Sequence, residues 1–204
     1  MTLIAVLDYG IGNLRSAQKA LQHVGADARL TADPALVRDA AAVVLPGVGA
    51  FGRCMDAIRA GGVDDLAHEA VASGRPFIGI CVGMQLLYEA SEETPGVTGL
   101  GILPGTVRRL PPGVKHPQMQ WNTLDIVAPS PLFDGLDDPA WMYFVHSYAA
   151  DVSDLTTATC DYGGPVAAAV SRGNVHATQF HPEKSARNGL TLLTNIVKLA
   201  AATS

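Results

Sequence analysis

Cysteine is scarce in this 204-residue chain, and the three present, Cys54, Cys81 and Cys160, are odd in number and far apart. They make neither a disulfide framework nor a Cys-x-x-Cys pattern, and the chain has no H-E-x-x-H. The expectation is a protein of the reducing cytoplasm, with no metal site and no cofactor. Charge is also sparse. Charged residues are 16% of the chain, the net charge is -5, and no Lys/Arg run occurs, so nucleic acid and anionic membrane surfaces are poor partners. No apolar run approaches the roughly 18 residues of a membrane span. The N-terminus, Met1-Thr2-Leu3-Ile4-Ala5-Val6-Leu7-Asp8, has no basic region and meets a charge at Asp8, so it reads as a first strand and not a signal peptide.

Apolar residues, by contrast, make up 48% of the chain. That share suits a sheet covered on both faces by helices, and the length suits one domain over 1–204. Strand Leu3 to Leu7 leads into Asp8-Tyr9-Gly10-Ile11-Gly12-Asn13, and Leu14, Ala17, Leu21 and Val24 then follow helical spacing up to Gly25. A strand from Ala28 to Thr31, a turn at Asp33-Pro34, a brief helix and a buried strand from Ala42 to Leu45 come next. Alternating strands and helices predict a parallel sheet with ligands at the C-terminal strand ends. Beyond Gly101, short strand-like runs separated by prolines predict antiparallel additions to that sheet. The fold class is therefore α/β: an open, mostly parallel sheet flanked by helices, with antiparallel additions.

The chain is organised around Arg75 to Tyr88. A short apolar strand enters Gly79-Ile80-Cys81-Val82-Gly83, and Val82, Leu86, Leu87 and Ala90 continue at helical spacing. This is the layout of a nucleophile elbow with cysteine in the central position, and the sharp turn requires glycine on both sides. The following helix would aim its first N–H groups and its dipole at the sulfur, favouring thiolate. The elbow alone leaves a second reading open, a cysteine buried as an apolar residue at a core strand's end.

Two other segments carry chemistry. Gly47-Val48-Gly49-Ala50-Phe51-Gly52 formally matches a dinucleotide loop, but the acidic residues about 20 positions on, Asp64, Asp65 and Glu69, fall in a helical pattern and not at a strand tip. The same loop could instead present backbone N–H groups to developing negative charge, with Val82 N–H as the second donor. Near the C-terminus, Phe180-His181-Pro182-Glu183 keeps His181 out of helical geometry. In an extended chain His181 and Glu183 would face one site, the acid orienting the imidazole and the imidazole taking a proton from Cys81.

These stretches, with Tyr143 to Tyr148, resemble the class I (triad) glutamine amidotransferase family from one end of the chain to the other. Within it, the first motif, Tyr143 to Tyr148 and the Glu183-Lys184-Ser185 ending are closest to glutaminase subunits of histidine biosynthesis. The resemblance implies Cys81 as nucleophile, His181 as general base and acid, and Glu183 as its orienting partner. Oxyanion donors would be Val48, Gly49 and Val82. L-Glutamine would be held by Gly47, Gln85, Glu93, His146, Ser147 and Tyr148. It further implies a heterodimer with a separate cyclase subunit that consumes the ammonia, met by Arg15, Trp121 and Lys184. Where the family usually shows Pro-His-x-Gly-Trp-Asn near that partner, this chain has Pro117-Gln118-Met119-Gln120-Trp121-Asn122. Glutaminases serving other synthases (anthranilate, guanylate or pyridoxal phosphate) would share the triad. A cysteine peptidase, a nucleotide-binding protein using the 47–52 loop, and a non-catalytic binding protein of the same fold are the remaining alternatives.

Overall fold

A computed structural model describes residues 1–12 and 14–203. Asn13, in the first of the resemblance motifs, lies outside the described residues. The N-terminal half alternates strand and helix as its apolar periods dictate: β1 (Leu3–Leu7), α1 (Leu14–His23), β2 (Asp27–Thr31), α2 (Pro34–Asp39) and β3 (Ala42–Gly47). Two helices, α3 (Phe51–Ala60) and α4 (Val63–Ala72), precede β4 (Phe77–Cys81) and α5 (Val82–Leu86). The start of α2 has a local cause. Asp33 caps α2 by accepting from Ala35 N–H, with Pro34 in the first turn, where its missing N–H costs nothing.

The second half is strand-rich: β5 (Ala90–Ser91), β6 (Thr106–Arg109), β7 (Gln118–Thr123), β8 (Asp125–Ile126), β9 (Trp141–His146), β10 (Tyr148–Ala150), β11 (Thr156–Asp161), β12 (Pro165–Arg172) and β13 (Val175–Thr178). The terminal helix α6 (Ala186–Ala202) buries Leu192, Leu193, Ile196 and Ala200. The main sheet runs β2-β1-β3-β4-β13-β12-β11-β8. Strands β2, β1, β3, β4 and β13 pair in parallel, and β12, β11 and β8 are added antiparallel. The central strands β3 and β4 are buried at every position, which explains their uninterrupted apolar runs. Two further sheets, β10-β6-β5 and the ribbon β7-β9, flank this core.

The elbow helix is shorter than its spacing predicts. α5 ends at Leu86, and Ala90 lies in β5. Its last carbonyls are captured from outside: Leu100 N–H donates to Leu86 O at 2.8 Å and Leu103 N–H to Leu87 O at 2.9 Å, so those carbonyls receive no continuing helix. Strand β7 is absent from the sequence-based expectation because only Met119 and Trp121 alternate with polar residues there, a signal too short to mark a strand, and both are exposed. Antiparallel pairing with β9, from Gln118 opposite His146 to Thr123 opposite Trp141, makes it a strand.

Candidate active site

Cys81 ends β4 in a backbone conformation that L residues rarely adopt, φ 56° and ψ -114°. This is the strained elbow expected between Gly79 and Gly83. The close approach at Gly83 is severe: a Cβ there would sit 1.8 Å from the Leu45 carbonyl oxygen of β3. At Gly79 it would meet Gly83 O, Leu87 Cδ1 and Met84 Cα, all at 3.0 Å. Because α5 has only five residues, its macrodipole is slight.

His181 follows β13, the strand that pairs in parallel with β4. It is extended (φ -99°, ψ 98°), as the following proline requires, but Glu183 does not continue in extended form. Pro182–Lys184 forms a 3-10 turn instead, and that turn, not strand alternation, brings Glu183 Oε1 to 2.8 Å from His181 Nδ1. A carboxylate only accepts, so Nδ1 carries the proton. Both side chains are almost fully buried. Burial by itself lowers the His181 pKa, yet Cys81 and Glu183 outweigh it and raise the value to about 9. Among the described residues His181 Nε2 finds no hydrogen-bond partner within geometric limits, which leaves its N–H available to a leaving group in the cavity. Ser185 braces this turn: its hydroxyl donates to His181 O at 2.6 Å and accepts from Tyr143 N–H at 3.0 Å.

One cavity of about 330 Å³ gathers Val48, Gly49, Cys81, Val82, Gln85, Glu93, His146, Ser147, Tyr148, His181 and Lys184 with Val145. Its size lies within the about 300–1,000 Å³ of small-ligand sites. Glu183 stands behind His181, and Gly47 packs under the elbow, where an added Cβ would fall 2.7 Å from Gly83 N. The glycine loop is held from both sides. Tyr9 Oη donates to Pro46 O at 2.8 Å, and the Cys54 thiol donates to Val48 O at 3.5 Å. Burial raises the pKa of both Tyr9 and Cys54, which keeps these two donors protonated.

Glu93 also decides against a dinucleotide at this loop. Its Oε2 accepts from Phe51 N–H at 2.7 Å, so a carboxylate already occupies the N-terminus of α3 where a phosphate would dock, and two anions there would repel. His146 differs from His181. Its Nδ1 donates to Tyr148 O at 2.9 Å, and burial lowers its pKa to about 4, so it is a neutral imidazole near neutral pH. Gln85 Nε2 donates to Tyr148 O and Gln179 Oε1, which commits its N–H groups within the protein.

The three residues expected to meet a partner separate. Lys184 is exposed at the cavity rim. Trp121 is 44% exposed on the β7–β9 ribbon, edge-on to Tyr143 with ring centroids 6.1 Å apart. Arg15 lines a different hollow with Asp8, Gly10, Gly12, Leu14 and Leu30. Sequence reasoning missed Tyr9, Cys54, Gln179 and Ser185 as supports of the site. Tyr9 and Ser185 stand in motifs noted above and Gln179 is a polar residue two positions before His181, but none of these placements marks a supporting role.

The sequence model described as "Glutamine amidotransferase class-I" matches residues 5–199, and the chain belongs to this family. Within it the chain is 49% identical over 201 residues to the imidazole glycerol phosphate synthase subunit HisH of Methanothermobacter thermautotrophicus, covering 98% of this chain and 100% of the relative. It is 51% identical to the subunit of the same name from Syntrophotalea carbinolica, covering 95% and 98% respectively. Among solved structures, that of PurLQS from Thermotoga maritima shares the fold with a TM-score of 0.76 at 19% identity, covering 97% of this chain and 98% of that one.

Proposed function

We propose that this chain, as a single domain, is the glutaminase subunit of an imidazole glycerol phosphate synthase. It hydrolyses L-glutamine to L-glutamate and ammonia. One observation carries the reading: Cys81, on a strained elbow, opens onto the same cavity as His181, whose Nδ1 is held by buried Glu183. Cys81 thiolate attacks the side-chain amide carbon of glutamine, and the oxyanion is received by backbone N–H groups of Val82 and of Val48 or Gly49. Collapse breaks the C–N bond, and His181 supplies the proton with which ammonia leaves. Water then gives its proton to His181 and attacks the thioester, releasing glutamate and restoring the thiolate–imidazolium pair. No cofactor takes part. Neutral His146, Ser147, Tyr148, Gln85, Glu93 and the Gly47 loop surround the amino-acid end of the substrate.

Free ammonia would be protonated in water, so it passes directly to a cyclase subunit in a cytoplasmic heterodimer. That subunit makes imidazole glycerol phosphate and aminoimidazole carboxamide ribotide. The ribbon supports such docking: Met119, Trp121 and Trp141 are exposed on β7–β9, and β9 itself leads into the cavity through Val145 and His146. The fully buried Gln118 sits on this strand but inside the core, with its Nε2 3.8 Å from Cys160 Sγ, so its side chain is not part of the docking face. Trp121→Ala is expected to weaken cyclase binding by about 2 kcal/mol, roughly 30-fold in Kd, with the circular dichroism spectrum unchanged. Isothermal titration with the cyclase checks it.

The function is tested by ammonia release from glutamine with and without the cyclase. Release with an unrelated synthase but not with the cyclase would overturn the pathway while leaving the glutaminase. Glu183→Gln is expected to reduce release about 100-fold, because the imidazole loses its orienting charge. The pH dependence of stability should change as well. His181 is raised from its ordinary value, so its contribution is complete below about pH 6.5 and is lost as pH rises through about 9. Removing one of the two raising partners should make that loss smaller and complete it at lower pH, as read by urea unfolding up to the alkaline range.

A further inference from the structure

Behind the sulfur lies a buried amide that the mechanism above does not use. Gln179 is 0% exposed and follows β13, where Thr178 is in register with Ile80 of β4, so Gln179 lies alongside Cys81. Its backbone is fixed by N–H donation to Ala168 O at 2.8 Å. Its side-chain Oε1 accepts from Gln85 Nε2 at 3.0 Å, and the same Gln85 nitrogen donates to Tyr148 O at 2.9 Å. Because a donor already occupies Oε1, the orientation of the amide is set, and Nε2 is the end that faces Cys81 Sγ, at 3.8 Å.

We infer that Gln179 is a positioning residue for the nucleophile, its side-chain N–H holding the Cys81 sulfur in the thiolate form at the cavity wall. A thiol accepts hydrogen bonds weakly and a thiolate strongly, so a fixed buried donor favours the charged form. The relay from Tyr148 O through Gln85 and Gln179 also ties one cavity wall to the sulfur, so the nucleophile and the substrate's surroundings are set by one network. This inference rests on Cys81 being the nucleophile of the proposed glutaminase.

The test measures the rate of Cys81 alkylation by iodoacetamide against pH, with the modified peptide identified by mass. It uses the full wild-type chain, Gln179→Met and Gln179→Leu. Both substitutions keep much of the volume and remove the donor, while His181, Glu183, His146, Glu93, Tyr9 and Cys54 around the sulfur are unchanged. The expected result is an alkylation profile displaced upward by about one pH unit, about tenfold slower at pH values below its midpoint. A variant that folds by circular dichroism and keeps the wild-type profile overturns the inference, leaving Gln179 a packing residue. If one variant does not fold, the other decides. Iodoacetamide needs no glutamine. Failure of wild-type chain and cyclase to release ammonia would therefore overturn the proposed function separately from this result.

Discussion

Replacement of Cys81 by alanine is expected to lower ammonia release from glutamine in the cyclase complex by about 10,000-fold or more, while the chain folds as before. The two halves of this expectation have separate causes. Activity falls because no second thiol lines the cavity: Cys54 and Cys160 both lie outside it. Folding survives because alanine is smaller than the cysteine it replaces and forfeits only a weak N–H···S contact with Gln179. The strained φ of 56° is as available to alanine as to cysteine. Adding His181→Ala to this variant should cost little more, since the groups act as a unit. Residual turnover within tenfold of wild type would mean that the sulfur is not the nucleophile.

Gly83→Ala is expected to have the largest effect on stability. Its Cβ would overlap the Leu45 carbonyl oxygen at 1.8 Å, and that oxygen belongs to the backbone of a fully buried central strand that has no side chain to move aside. The cost should exceed the about 1–3 kcal/mol of ordinary core overpacking. Thermal unfolding should then fall by about 10 °C or more, or the chain should fail to accumulate in folded form. An unchanged melting temperature would show that α5 can lift from β3, and the rigid elbow would lose its physical basis.

The two glycines around Cys81 show why much of this fold is legible in sequence. They record a steric demand between neighbours in the chain, and local demands leave local traces. The parallel core is readable for a similar reason, because strands buried on both faces must be apolar throughout. Polar β7 is opaque because its strand character comes from β9, a partner distant in sequence. The short α5 is opaque because its end is set by the residues from Leu100 to Leu103, which take its carbonyls. In the site, the His181-Glu183 pair is visible as a motif, though the turn that joins them is not the extended chain that residue spacing suggests. Gln179, Tyr9 and Cys54 act through contacts across the sheet or the loop. Only three-dimensional placement reveals them.

The central claim is that Cys81 attacks the side-chain carbonyl of glutamine, and an electrophilic chloroketone analogue of glutamine tests it most directly. Incubated with the cyclase complex and followed by peptide mass mapping, it should label Cys81 alone, at a rate slowed by added glutamine and abolished in Cys81→Ala. Labelling at Cys54 or Cys160 instead, or labelling of Cys81 that glutamine does not slow, would contradict the account.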